Sequence, residues 1–116
     1  MEKYNLFLDD ERQPFDGYVL EQFPEHEDKS WIVVRNFKEF KDVIIKNGVP
    51  NLISFDHDLM DFDHGREFTG YDCAKWLVEF CYNERVDFPH YTVHSANLGG
   101  KEYIISYIEN AKKHLL

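Results

Sequence analysis

Four short apolar runs, separated by stretches with helical periodicity, constrain the fold of this chain more than any other sequence feature. The runs predict β-strands at residues 4–8, 31–35, 52–55 and 91–94, and the second of them contains a β-branched run that strands favour. Near-continuous apolar strands that alternate with helices form parallel sheets with helices on both faces. The sequence therefore predicts an α/β fold, a small open three-layer sandwich with a parallel sheet of about four strands.

Three stretches with apolar residues three or four positions apart predict helices. Asn36 can cap the first helix, which ends at Gly48, and Thr69 opens the second, which runs to about residue 84. The third helix is expected at about residues 101–114. Its inward side chains are expected at Ile104, Tyr107, Ile108, Ala111 and Leu115.

Two connections are predicted to be irregular. Residues 11–30 contain two prolines and a glycine, which interrupt helices, so we expect a loop with at most a short element at residues 18–23. Residues 58–68 are largely polar and predict a second long loop. Three of its side chains are expected to form a mobile rim over a pocket: Asp61, Asp63 and His64.

Composition limits the classes of function. A chain of 116 residues with 43% hydrophobic residues is long enough for one core, so we expect a single domain over residues 1–116. The net charge of −9 disfavours an extended nucleic-acid-binding surface, but it still allows a nucleotide or an RNA end held locally by a metal ion. No apolar run reaches the roughly 20 residues of a membrane span. The N-terminus lacks the features of a signal peptide, so we expect a cytoplasmic protein that does not bind membranes.

The two cysteines are expected to be buried thiols. Cys73 and Cys81 lie eight positions apart on one predicted helix, which separates them by about 12 Å along its axis. A disulfide requires Cα atoms within about 7 Å, so these residues cannot pair with each other. Both fall on the apolar side of the helix.

Polar residues follow three of the four predicted strands. In parallel sheets the carboxyl ends of the strands meet at one edge, and binding sites form beyond that edge. We therefore expect these side chains to converge: Asp9, Asp10, Asp56, His57, Asp58, His94, Ser95 and Asn97.

Clustered carboxylates repel each other and need a cation to offset their charge. Asp9, Asp10 and Asp56 are the predicted ligands, with Asp58 as a further ligand or as support for one. Oxygen ligands suit Mg²⁺ or Mn²⁺. The alternative is that some of these acids cap helices and face solvent at the rim of the sheet.

Histidines beside two strand ends suggest proton transfer. His57 and His94 could act as general acid and base near neutral pH, with Asp56 as a third catalytic candidate. Each of the two histidines could instead ligate a metal or bond to a carboxylate in a structural role. His64 is expected to be solvated. The remaining histidines have no informative context and are expected at the surface: His26, His90 and His114.

The segment "HSANLGG" predicts a phosphate-binding loop. Glycines allow backbone N–H groups to approach an anion, and the start of a helix favours negative charge. Its predicted phosphate contacts come from Ser95, Asn97, Gly99 and Lys101. The alternative is that Asn97 caps the helix while the glycines turn the chain.

Arg12 lies two positions after the first acid pair. A guanidinium group there could clamp a phosphate, or it could pair with Asp10 or Glu11. The residues alone do not decide between these roles.

The motifs "LFLDDE" (6–11), "NLISFD" (51–56) and "TVHSA" (92–96) resemble those of response-regulator receiver domains. The resemblance implies a strand order of 2-1-3-4, a phospho-accepting role for Asp56 and a switch role for Ser95. The chain departs from that pattern because its first helix is interrupted and no fifth strand with a lysine follows the last helix. It is thus predicted to be truncated relative to a full receiver, and it has added histidines at 57 and 94.

The fuller set "LFLDDER", "SFDHDL", "TGYDCAKWL" and "VHSAN" closely resembles the cyclic-phosphate processing receiver-like family. The resemblance implies a metal-dependent phosphoesterase that acts on the cyclic phosphate of a nucleotide or an RNA end. Two alternatives stay open. The chain could be a degenerate receiver that accepts a phosphoryl group on Asp56 or binds a nucleotide without turnover, or a structural protein whose acidic edge binds a partner. The sequence leaves the oligomeric state open.

Overall fold

The structure is a computed structural model that describes residues 4–116. Its strands are β1 (Asn5–Leu8), β2 (Trp31–Val34), β3 (Leu52–Phe55), β4 (Asp61–Asp63), β5 (Arg66–Phe68) and β6 (His90–Val93). Its helices are α1 (Gly17–Gln22), α2 (Phe37–Asn47), α3 (Gly70–Glu84) and α4 (Leu98–His114), with a 3₁₀ helix at Pro24–Asp28.

Four strands form one parallel sheet in the order β2-β1-β3-β6. This order confirms the predicted receiver-like arrangement, in which the fourth sheet strand along the chain is β6. The last residues of the strands lie side by side, since Leu8 pairs with Val34 and Phe55, and Phe55 pairs with Val93. This register aligns the carboxyl ends of all four strands.

The core lies between the sheet and the helices that cover it. Side chains from four strands and three helices form one buried cluster, whose largest members are Leu6, Leu8, Phe40, Ile44, Ile53, Phe55, Leu77, Ile104 and Ile108. Cys73 and Cys81 are buried there as thiols, as predicted. Within residues 4–116, no helix combines the length and the apolar character that a membrane crossing requires.

The predicted helix caps are present. The side chain of Asn36 accepts a hydrogen bond from the backbone N–H of Glu39 at 2.9 Å and so begins α2. Thr69 and Asp72 form a reciprocal capping box at the start of α3. Helix α4 begins at Leu98, before the predicted start at about residue 101, because Asn97 caps the helix and brings Leu98 into its first turn.

Two predicted environments were wrong. Leu115, expected to face inward, is 56% exposed because it lies beyond the end of α4. His26, expected at the surface, is fully buried because the 3₁₀ helix carries it against the sheet. There its ring packs on Phe23 and Trp31, with ring centroids 5.3 and 4.6 Å away.

The loop predicted at residues 58–68 contains an antiparallel hairpin formed by β4 and β5. Its two central residues, His64 and Gly65, both have positive φ, which is the geometry of the tight turns that match strand twist. Asp61 accepts a hydrogen bond from the backbone N–H of Phe37 at 3.0 Å, and Phe37 stacks on Phe68 at 5.0 Å. Asp61 therefore anchors the hairpin to α2 instead of belonging to a polar rim.

Candidate functional site

The strand register brings three functional side chains together. Asp9, Asp56 and His94 are the first residues after β1, β3 and β6, and their backbone N–H groups extend the ladder by bonding to Val34, Leu8 and Phe55. All three are buried, with exposures of 1%, 5% and 0%. The convergence predicted from the strand ends is therefore present in the fold.

One ligand atom from each of these three residues lies within 4.8 Å of the other two. Among residues 4–116, this is the only group of three or more acidic, histidine or cysteine side chains arranged in this way. Two carboxylates and one imidazole form a donor set that suits divalent cations such as Mn²⁺, and the carboxylates alone suit Mg²⁺. The three residues, called the strand-end cluster below, could hold such an ion.

Asp9 is the most strongly bonded member of the strand-end cluster. One carboxylate oxygen accepts from His94 Nε2 at 2.9 Å, and the other accepts from the backbone N–H groups of Glu11 and Arg12, each at 2.9 Å. Burial alone would raise the pKa of Asp9, but these hydrogen bonds outweigh it and lower that pKa. Asp9 is therefore held in its ionised form.

The pKa of Asp56 moves the opposite way. Burial and the neighbouring charge of Asp9 raise it to about 7, against the opposing effects of a hydrogen bond from the His57 N–H at 2.9 Å and of the Ser95 hydroxyl. Burial and Asp9 also raise the pKa of Asp10, which is half-buried beside the cluster. The edge of the sheet thus concentrates negative charge that the described residues only partly offset.

His94 is completely buried and bonded at both ring nitrogens. Nε2 contacts Asp9, Nδ1 lies 2.7 Å from the Ser54 hydroxyl, and the Thr92 hydroxyl donates to Ser54 at 3.0 Å. The ring also stacks on Phe7 with centroids 4.5 Å apart. Burial lowers the pKa of His94 even though Asp9 opposes that shift. A neutral ring satisfies both contacts when it donates from Nε2 to Asp9 and accepts at Nδ1 from Ser54.

His57 and Asp58 form a separate pair. His57 Nδ1 lies 2.8 Å from Asp58 Oδ1, and Asn97 Nδ2 donates to the same carboxylate at 3.3 and 3.4 Å. The side chain of Asp58 is 54% exposed, whereas that of His57 is 17% exposed. Asp58, predicted as a metal ligand, is directed at His57 and Asn97 and does not belong to the strand-end cluster.

The start of α4 presents backbone donors near the cluster. Asn97 Oδ1 accepts from the Gly100 N–H at 2.9 Å, so the capping alternative for Asn97 is present in the structure. The N–H groups of Leu98 and Gly99 have no acceptor within residues 4–116. Lys101 is half-buried, and its positive charge contributes to the lowered pKa of His94. Backbone donors and a cation thus adjoin the acidic group.

The guanidinium of Arg12 lies over the ring of Tyr18 at 4.2 Å. No ion pair joins Arg12 to Asp10 or Glu11 within residues 4–116, so the pairing alternative has no support. Its charge also acts on His94, which places the guanidinium in the neighbourhood of the strand-end cluster.

Arg35, Ser54 and Thr92 were missed by the sequence interpretation. Arg35 Nη1 donates to the carbonyl oxygens of Asp9 at 3.0 Å and Arg12 at 2.7 Å, which holds the loop after β1. Ser54 and Thr92 are register partners on β3 and β6, and their hydroxyls support His94. The available signal was a hydroxyl residue inside each of two apolar runs.

The other histidines take no part in the site. His64 is solvated as predicted, with an 81% exposed side chain and a contact of 3.7 Å to Asp63. His90 and His114 are exposed, also as predicted. His26 is buried and makes an edge contact of 6.4 Å with Phe7, the ring on which His94 stacks.

The sheet order and the acidic strand-end cluster define a receiver-like α/β domain. The model of the cyclic-phosphate processing receiver domain family matches residues 4–110, and the chain belongs to that family. This confirms the resemblance seen in the sequence motifs and associates the chain with cyclic-phosphate processing. A comparison with curated proteins found no match.

Proposed function

We propose that this chain is a metal-dependent phosphoesterase that opens the cyclic phosphate of a nucleotide or an RNA end. The observation that most supports the proposal is the strand-end cluster of Asp9, Asp56 and His94 beside the start of α4. An acidic group that could hold a cation next to backbone donors that favour an anion suits a metal-assisted reaction at a phosphate.

Asp9 and Asp56 would supply carboxylate oxygens to Mg²⁺ or Mn²⁺, with Asp10 adding negative charge beside them. The bound cation would polarise a phosphate oxygen and offset the charge that develops there. His94 could add Nε2 to the ligand set if its proton moved to Nδ1 and were donated to Ser54, since the Ser54 hydroxyl can accept as well as donate.

His94 and His57 have different roles in this proposal. His94 is buried with both nitrogens engaged, so in this proposal it supports Asp9 and does not exchange protons with substrate. His57 Nε2 makes no hydrogen bond within residues 4–116, so it is available as a general base.

The reaction consumes one water. His57 takes a proton from the water as its oxygen bonds to phosphorus, one ring P–O bond breaks, and the released ribose oxygen receives a proton from the imidazolium. The phosphate oxygens would be held by the N–H of Gly99, the Ser95 hydroxyl and the charges of Lys101 and Arg12. Asn97 would contribute through the helix start that it caps.

The charge of the protein limits the substrate to a small group or a chain terminus. With a net charge of −9, the surface repels a long phosphate backbone. Recognition therefore rests on the cyclic phosphate and its adjoining nucleoside.

The direct test is incubation with 2′,3′-cyclic nucleotides and Mg²⁺ or Mn²⁺, with the linear monophosphate measured by chromatography. We expect turnover that chelation abolishes and that Asp9→Asn and Asp56→Asn reduce by about 100-fold or more. Absence of ring opening with either metal, over cyclic nucleotides of all four bases and a cyclic RNA end, would refute the proposal.

A second candidate function is phosphoryl acceptance on Asp56. It is supported by the position of Asp56 at the end of β3 beside the Ser95 hydroxyl, where the receiver resemblance implies an acceptor. Labelling by acetyl phosphate that persists in His57→Ala and disappears in Asp56→Asn would favour this function over hydrolysis. Absence of labelling in the wild type with Mg²⁺ would exclude it.

A further inference from the structure

The ring of His57 lies in a space that exists only because residue 100 is glycine. A Cβ atom at Gly100 would lie 2.7 Å from both Cδ2 and Nδ1 of the ring and would also strike Cγ. Such distances are below van der Waals contact, so any larger side chain would displace the imidazole. Gly100 is buried in the first turn of α4, so the start of this helix packs directly against the His57 ring.

A chain of hydrogen bonds also holds the same ring at Nδ1. The Gly100 N–H donates to Asn97 Oδ1, Asn97 Nδ2 donates to Asp58, and Asp58 contacts His57 Nδ1 at 2.8 Å. The residue that caps α4 thus also supports the carboxylate that orients the imidazole. Gly100, Asn97 and Asp58 thus form one connected network that holds the imidazole of His57.

We propose that Asp58 and Gly100 are positioning residues that set the orientation and the tautomer of His57. Asp58 accepts the Nδ1 proton, Gly100 provides the space for the ring, and the lone pair therefore resides on Nε2. The inference rests on the proposed function for its catalytic consequence. In this proposal Asp58 orients the imidazole of His57 and does not bind the metal.

Nitrogen-15 NMR of the imidazoles tests the orientation without any activity. We expect the neutral His57 ring in the wild type to carry its proton on Nδ1. Gly100→Ala should shift the His57 ring signals clearly more than Gly17→Ala, because a Cβ at Gly17 meets no atom within 4 Å. A neutral ring protonated mainly on Nε2 in the wild type, or equal shifts in the two variants, would overturn the assignment.

Kinetics test the catalytic consequence. Asp58→Ala should lower kcat for cyclic-phosphate opening by about 10- to 100-fold with a smaller change in KM, since general acid–base catalysis contributes about 10²–10⁴-fold. Asp58→Asn keeps an oxygen acceptor and should recover part of the loss. The matched control is Asp63→Ala, which removes an exposed acid beside another histidine, His64.

Asp58 is exposed, so its replacement leaves folding intact even where Gly100→Ala does not. Unchanged kcat in Asp58→Ala would overturn the positioning role. The expected tautomer in a wild type that opens no cyclic phosphate would uphold the orientation of His57 and refute the proposed function.

Discussion

Two aspartate–histidine pairs lie at the same edge of the sheet, and they differ mainly in their access to solvent. Asp9 and His94 are 2.9 Å apart with side chains 1% and 0% exposed, whereas Asp58 and His57 are 2.8 Å apart with side chains 54% and 17% exposed. Two contacts of nearly the same length thus support different chemistry. The buried pair organises the strand ends, and the exposed pair can meet a substrate.

The difference follows from what surrounds each imidazole. His94 is covered by Phe7 and bonded at both nitrogens, so a substrate cannot reach it without disrupting the core. The ring of His57 packs against the start of α4, with one nitrogen bonded and the other without a partner in residues 4–116. Breaking the buried pair should therefore cost stability, and breaking the exposed pair should cost activity.

The largest expected effect is on folding, from His94→Ala. The substitution leaves the buried carboxylate of Asp9 without its imidazole and opens a cavity beside Phe7, which should lower the free energy of unfolding by about 3–5 kcal/mol. Urea denaturation would measure it, with His64→Ala as an exposed control that should change stability by less than about 0.5 kcal/mol. Equal stability of the two variants would contradict the structural role of His94.

His57→Ala should show the opposite pattern. We expect kcat for cyclic-phosphate opening to fall by about 100-fold or more because the proposed general base is lost. Stability should change by less than about 1 kcal/mol, since the hydrogen bond to Asp58 that it breaks is partly exposed. Activity and urea denaturation measured on one preparation would check both parts. A variant that keeps its activity would remove His57 from the mechanism.

Asp56→Asn tests the carboxylate that neighbours both pairs, through the charge of Asp9 and the backbone N–H of His57. Removing one of two neighbouring buried carboxylates should stabilise the metal-free protein by roughly 1 kcal/mol and raise its Tm by several degrees. It should also abolish the rise in Tm that Mg²⁺ or Mn²⁺ gives the wild type by binding the folded state. Asp63→Asn, at an exposed acid, is the control for both effects. A variant that still gains stability from these ions would place the cation elsewhere.

The convergence of the strand-end cluster was predictable, and its internal hydrogen bonds were not. Apolar runs locate the strand ends, and parallel pairing brings residues 9, 56 and 94 together at one edge. Whether Asp58 joins the acids or contacts His57 depends on side-chain rotamers and on the nearby Asn97, which spacing along the chain does not reveal. The roles of Ser54 and Thr92 required the register of β3 with β6.

The wrongly predicted environments of His26 and Asp61 have a common physical reason. His26 and Asp61 both lie in segments whose composition is polar, yet each segment folds onto the sheet or onto a helix through aromatic contacts. The turn at His64-Gly65 also lacks the asparagine that most often marks a hairpin. Composition reports the average polarity of a segment, whereas burial depends on which side chains the fold brings to it.

His26 is fully buried like His94, but it has no carboxylate partner within residues 4–116. Neither ring nitrogen has a hydrogen-bond partner within residues 4–116. Burial lowers the pKa of His26, the charges of His94 and Lys29 act in the same direction, and the charge of Glu25 opposes them. The folded state therefore binds a proton less readily than the unfolded chain.

The sign of the pH dependence follows directly. Above the unfolded pKa of about 6.5 the ring is neutral in both states, so it does not make the free energy of unfolding depend on pH. As the pH falls below that value, the unfolded chain takes up the proton and the folded protein does not, so stability falls. Replacing the ring with His26→Phe should make the unfolding free energy at pH 5.5, relative to that at pH 7.5, roughly 1 kcal/mol higher than in the wild type. The lowered pKa of His94 and the raised pKa of Asp56 act with opposite signs over this range and are present in both proteins. Urea denaturation at the two pH values would measure this difference, with His90→Gln as the exposed control; an equal change between the two pH values in the wild type and His26→Phe would show that His26 takes up its proton equally well in both states.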